Sequence, residues 1–242
     1  MRPYKLALAF LVLAGAWAYN RARPDEAVAV EASESVSPDG AEVAEMADVA
    51  VAQVPEGYEQ LLVSRNGRYS KAGWNHYGPG YFDLDPATGV LTSHGGMGLF
   101  WYSVKEYSDF VLELEFKCTD AETNSGVFVR VPGVPTSDDY IYHSFEIQIY
   151  DAGEGIHMTG AAYDAEAPTH LASNPPGEWN HFKITFVGGQ LSVELNGEAI
   201  LDWEAVGRGK VEDFAPSGYI GLQNHDDITP VFIRNVYLKD LG

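Results

Sequence analysis

The stretch FEIQIYD, residues 145–151, sets a carboxylate and an amide two positions apart on an alternating segment. Successive side chains of a strand point to opposite faces. Phe145, Ile147 and Ile149 therefore share an apolar face, and Glu146, Gln148 and Tyr150 the opposite one. Two further stretches repeat the pattern. In NSGVFVR, Val127 and Val129 oppose Asn124, Phe128 and Arg130; in GYIGLQNH, Ile220 and Leu222 oppose Tyr219, Gln223 and His225. An idle wet face would carry Lys, Thr and Ser. Planar amides, rings, one acid (Glu146), one guanidinium (Arg130) and one imidazole (His225) suit a sugar instead, whose hydroxyls need paired donors and acceptors and whose C–H faces pack on rings. The bland alternative is a cross-strand Glu146–Arg130 ion pair beside a structural Gln223 and His225.

EIQIYD is similar to the E-I-D-I-x-E strand of laminarinase-type β-glucanases, with Gln148 at the central acid and Asp151 at the last. Retaining cleavage needs two carboxyls roughly 5 Å apart. Gln148 cannot ionise, and on a regular strand Glu146 and Asp151 face opposite sides. Asp151 before Ala-Gly is also an ordinary turn former. A hydrolase built on these residues needs another chemistry. A divalent ion on Glu146 and His225 is one alternative, although no spaced His or Cys motif marks a site and the residues call for no other cofactor.

These side chains must be carried by strands. FVLELEFKC, NHFKITFVG, QLSVELNG, AILDW and PVFIRNVYLKDL are short, alternating or β-branched and aromatic, and separated by Gly, Pro, Asn or Asp. No sustained helical period is present. VGGQ at 187–190 and Asn196-Gly197 read as hairpin turns, so residues 183–203 form a three-stranded meander. The expected fold is all-β, two packed antiparallel sheets. Trp74, Trp101, Tyr102 and Tyr163 fall in or beside expected loops and are candidate sugar-stacking platforms.

The ends of the chain bound the rest. Arg2 and Lys5 precede an apolar run over residues 6–18 that closes on Ala-Trp-Ala, the pattern of a secretory signal peptide over 1–18. Thirteen apolar residues are short for a membrane span, which needs about 20. Residues 19–56 hold nine acids and two bases and almost no aromatic residue, too little apolar surface to offset the entropy of ordering; they read as an acidic tether. The remainder, 57–242, carries 26 acids and 11 bases. That balance repels nucleic acid. The single cysteine, Cys118, forms no intrachain disulfide, and the expected location is exported, periplasmic or extracellular, with no stable membrane span after cleavage.

In order, FDLDPATGVL, YSDFVLELEF, NSGVFVR, FEIQIYD, MTGAAY, PPGEWNHFKI, VELNG, GYIGLQNH and VFIRNVYLKDL resemble the bacterial exported family named for 3-keto-disaccharide hydrolase activity, from about residue 58 to the C-terminus. The resemblance implies a concanavalin-like jelly roll and a glycoside oxidised to a ketone at the third sugar carbon. A ketone acidifies the neighbouring C–H, so a base can remove that proton and the aglycone can leave by elimination, after which water adds. Such a route needs a base, a donor for the enolate oxygen and an acid. Glu146 and His225 are the candidates for proton transfer, with the base open between them, and Arg130 for the enolate oxygen. Asn124, Gln148 and Gln223, with Asp151, Tyr163 and Trp74 at the rim, are the candidate substrate contacts. A noncatalytic glycan-binding module of lectin type is the competing reading.

Overall fold

The computed structural model describes residues 53–225 and 228–242. The expected signal peptide and nearly all of the tether lie outside these residues. Strands run in the order β1 Glu59–Gln60, β2 Ser64–Arg65, β3 Arg68–Tyr69, β4 Trp74–Tyr77, β5 Tyr81–Leu84, β6 Leu91–His94, β7 Gly98–Tyr107, β8 Phe110–Cys118 and β9 Ser125–Val131. A one-turn helix α1, Tyr140–His143, then leads into β10 Phe145–Ile149, β11 Asn180–Val187, β12 Gln190–Leu195, β13 Glu198–Glu204, β14 Gly218–Asn224 and β15 Val231–Asp240. One sheet has the order β13-β12-β11-β8-β15-β6-β5, with β1 added on β15; a second has the order β10-β9-β14-β7-β4; β2 and β3 form a separate hairpin. All pairings are antiparallel. The fold is a jelly-roll β-sandwich, as expected.

Burial explains the layering. In β8 every second residue is buried, Phe110, Leu112, Leu114, Phe116 and Cys118, and β11 does the same with Phe182, Ile184 and Phe186. These side chains meet Val127, Val129, Phe145, Ile147, Ile149, Ile220 and Leu222 of the five-stranded sheet in one core. Each such side chain stabilises the fold by roughly 1.5–3 kcal/mol relative to exposure. The meander also forms as expected: Asn196 and Gly197 both have positive φ, 54° and 83°, as a type I′ turn requires.

The five-stranded sheet differs from its partner in being covered on both faces. All seven residues of β9 and all five of β10 are buried. On the outer face, Tyr140 of α1 sits edge-on to Phe128 at 5.1 Å and to Tyr77 at 6.1 Å, in a second apolar cluster with Leu99, Trp101 and Tyr219. The segment 132–144 thus seals one half of that face. Glu146 and Gln148 of β10, Asn124 just before β9 and Gln223 of β14 occupy the other half.

Among the described residues no helix is long and apolar enough to cross a membrane.

Candidate active site

Three adjacent strands bring the expected polar residues together. Glu146 and Gln148 project from β10, Asn124 precedes β9, and Gln223 and His225 stand at the end of β14; all five line one pocket. The cross-strand register sets Gln148 opposite Gly126, and that glycine gives Glu146 its place. A Cβ on Gly126 would lie 2.1 Å from Glu146 Oε1 and 2.5 Å from its Cγ. Only a residue without a side chain lets the carboxyl lie across the neighbouring strand.

The amides are cross-linked. Gln148 Nε2 donates to Asn124 Oδ1 at 3.3 Å, and Asn124 Nδ2 lies 3.5 Å from His225 Nε2. Ser125 Oγ donates to the Gln223 carbonyl at 2.7 Å, holding the two strands in register. Beneath His225, the wholly buried Asn224 accepts from His76 Nε2 at 2.8 Å and donates to the carbonyls of Pro79, His94 and Gly95. This clamp fixes the strand end from which His225 projects.

A segment after β10 adds one wall. Gly160 N donates to Gln148 O at 2.9 Å, Gln148 N to Ala161 O at 3.0 Å, and Tyr163 N to Glu146 O at 2.8 Å. The MTGAAY stretch is thus laid on the edge of β10 and delivers Tyr163 to the pocket. Lys210 closes the same side, its Nζ 4.8 Å from the centre of the Tyr163 ring and 3.3 Å from the Tyr163 hydroxyl. Residue patterning gave no reason to select Lys210. It sits in a polar loop with no strand period, and only docking of that loop brings it here.

Glu146 is the electrostatic centre of the site. It is 7 % exposed, and burial pushes its carboxyl from 4.5 up to about 8, with the Lys210 ammonium acting in the other direction. Burial destabilises the charged form because ions are poorly solvated away from water. Its Oε1 and the Oε1 of Gln223 have no hydrogen-bond partner within the protein. Buried polar atoms are normally paired, yet two residues that line one pocket each keep an unsatisfied buried acceptor. A carboxyl titrating near neutrality can give or take a proton at physiological pH.

Four expectations need correction. Arg130 does not reach the pocket. Its φ is +55°, the β9–β14 register shifts between Tyr219 and Gly221, and the period of two is lost there. The guanidinium instead lies 3.6 Å over the Phe186 ring and donates to the carbonyls of Ser108 and Gly188 and to Asp109, so it does not serve as an enolate-oxygen donor. Trp74 is not a rim platform: it is buried, stacks on Phe100 at 4.7 Å and donates Nε1–H to Leu61 O. Asp151 accepts from Thr159 Oγ1 at 2.6 Å and Ser173 Oγ at 2.8 Å, which anchors the MTGAAY segment and makes Asp151 a scaffold residue. Trp101 and Tyr102 lie within β7 and are buried; only Tyr163 of the expected aromatic platforms lines the pocket. Among the described residues no three His, Cys, Asp or Glu side chains converge as a metal site, and the ligand types at the pocket are Glu146 and His225.

The geometry defines a jelly-roll β-sandwich domain with a polar pocket on the outer face of its smaller sheet. The chain belongs to the 3-keto-alpha-glucoside-1,2-lyase-like domain family, whose model matches residues 58–239. Two provisionally named glycosyl hydrolases from Parabacteroides distasonis ATCC 8503 share the fold. One is 26% identical with a TM-score of 0.63, covering 76% of this chain and 99% of its own. The other is 24% identical with a TM-score of 0.63, covering 77% and 95%. The carbohydrate recognition domain of Emp46p, at 12% identity and a TM-score of 0.50 over 71% of this chain and 90% of its own, is similar in fold. No curated protein matches the chain.

Proposed function

We propose that this protein cleaves glycosides already oxidised to a ketone at C3 of the sugar, by elimination followed by hydration. A base takes the C2 proton, which lies between the ketone and the anomeric carbon. The C–H pair forms a C2–C3 double bond and the ketone oxygen becomes an enolate. Return of that pair makes a C1–C2 double bond, restores the ketone and expels the aglycone oxygen, which takes up a proton. Water then adds its hydroxyl to C1 and its proton to C2, so the net change is hydrolysis.

Glu146 is the base, His225 gives the proton to the departing oxygen, and the Lys210 ammonium, held by Tyr163, faces the enolate. Asn124, Gln148 and Gln223 hold hydroxyls. The observation that carries this reading is Glu146: a buried carboxyl that lines the pocket, has one oxygen unpaired within the protein and has a pKa raised to about 8. Desolvation makes such a carboxylate a stronger base than an exposed one. Membership of the family supports the substrate class.

The test is incubation of the purified protein with 3-keto- and unoxidised disaccharides in D₂O. Turnover of the keto substrate alone, with deuterium entering at C2 and none after Glu146→Gln, supports elimination. Cleavage of unoxidised substrate without C2 exchange would refute it, and binding of plain glycans with no turnover would establish the lectin-like reading. We also propose that the protein is exported, on the pattern of residues 1–18; the N-terminal sequence of the protein recovered outside the cytoplasm tests this.

A further inference from the structure

Six non-glycine residues among those described have positive φ, and four of them are Asn or Asp, the types that tolerate this conformation. The other two are Arg130 and Met97. Arg130 has a structural reason, since its side chain is buried and makes four hydrogen bonds. Met97 has none of that kind. Its φ is +52°, yet the residue is 52% exposed.

The backbone around Met97 is held firmly. Met97 N donates to His225 O at 3.2 Å, and Asn224 Nδ2 donates to the carbonyls of His94 and Gly95 at 3.2 Å each. A Cβ on Gly96 would lie 2.9 Å from His225 O, and one on Gly98 would lie 2.4 Å from Pro79 O. The glycines let this loop pack closely against the strand end that carries His225. Its one large residue, Met97, thereby lines the pocket, where Ile141 of α1 is the other aliphatic lining residue. A bulky residue in a disfavoured conformation, exposed and rigidly mounted at a pocket, marks a functional constraint.

We infer that Met97 and Ile141 form an aglycone subsite that selects glycosides bearing an apolar or aromatic leaving group. The inference rests on the pocket being the carbohydrate site proposed above. Asn124, Gln148, Glu146 and Gln223 are the hydroxyl partners for the sugar ring. The thioether and the branched aliphatic offer no hydrogen bond. They fit the part of the ligand without hydroxyls, and methionine in particular adapts to aromatic faces.

The experiment compares phenyl and methyl glucosides, unoxidised for binding and 3-keto for turnover, on the full chain and on Met97→Gly, Met97→Asn and Met97→Leu. Glycine and asparagine suit the left-handed backbone, so both variants are expected to melt at or above the wild-type temperature. The preference for phenyl over methyl is expected to fall about tenfold in both, the range for losing one apolar contact in a specificity pocket. Leucine keeps the apolar surface and is expected to keep the preference. An unchanged phenyl-to-methyl ratio in well-folded Gly and Asn variants overturns the inference. Binding and turnover separate it from the parent reading: a phenyl preference in binding without keto-glycoside turnover refutes the reaction but retains the subsite. Turnover without Met97-dependent preference does the reverse, and binding of neither glucoside removes both.

Discussion

Replacing Glu146 by Gln should abolish activity and remove a pH dependence of stability, and the size of that effect follows from burial. In the unfolded chain the carboxyl titrates near its ordinary 4.5, and in the fold near about 8. Between these values the folded state keeps a proton that the unfolded state has released, so stability falls as pH rises. The protonated carboxyl makes its full contribution below pH 4.5, and that contribution is gone above about 8. Each pKa unit is worth about 1.4 kcal/mol, so folding at pH 7 is weakened by about 3 kcal/mol relative to pH 4.5. Glutamine is isosteric and does not titrate. Any cost of its own buried amide is independent of pH and drops out of the comparison. The assay is thermal or urea unfolding of wild type and Glu146→Gln from pH 4.5 to 9. The stability of the variant minus that of wild type should grow by about 3 kcal/mol up to pH 7 and level off above 8. At about 2–4 °C per kcal/mol for a domain of this size, the melting temperatures should diverge by about 6–12 °C. Parallel curves over this range would show that Glu146 is ionised in the fold, and the physical basis for its role as a base near neutrality would be lost.

Further outcomes are expected. With both Glu146 and His225 transferring protons, wild-type kcat/KM should be bell-shaped in pH. In His225→Ala, where Glu146 is the proton-transfer group left, the residual kcat/KM should rise with pH toward a plateau above about 8. Adding Lys210→Gln should move that rise to higher pH because Lys210 lowers the Glu146 pKa, and a residual rate that falls through pH 8 would make Glu146 an acid instead. His225→Ala should reduce kcat by about a hundredfold or more, as loss of a general acid does, with the effect smallest for aglycones that leave readily; a uniform loss across leaving groups would argue against proton donation by His225. Gly126→Ala should displace the Glu146 carboxyl, since the new Cβ would sit 2.1 Å from Oε1, and should lower kcat more than it lowers stability. Arg130→Ala should cost about 3 kcal/mol, because the Ser108 and Gly188 carbonyls lose their donor, with kcat/KM of the folded fraction near wild type. A loss of turnover in the folded Arg130 variant would restore it to the chemistry.

The polar faces of β10 and β14 were legible because both strands keep the period of two at the residues concerned. Glu146 and Gln148 oppose Ile147, and Gln223 opposes Leu222, whatever lies elsewhere in the chain. The same rule failed at Arg130, one position after an accurate reading at Val129. There a left-handed residue and a shift in pairing with β14 break the alternation, and nothing in VFVRV signals it. Trp74 and Trp101 were misplaced for a related reason. Glycines around them suggested loops, whereas those glycines permit close approach between strands: a Cβ on Gly73 would meet Val104 Cγ2 at 2.6 Å.

The alternating pattern and the turn residues by themselves determined an all-β sandwich, the inward face of each central strand, and the candidate surface that bears Glu146, Gln148, Gln223 and His225. These are local properties, fixed by backbone geometry within a few residues. Tertiary structure decided the rest. It buried Glu146 deeply enough to move its titration to neutrality, brought Lys210 across from a loop more than sixty residues later, and sent Arg130 to Phe186. Desolvation, loop docking and pairing shifts depend on what packs from distant parts of the chain, and no local period encodes them.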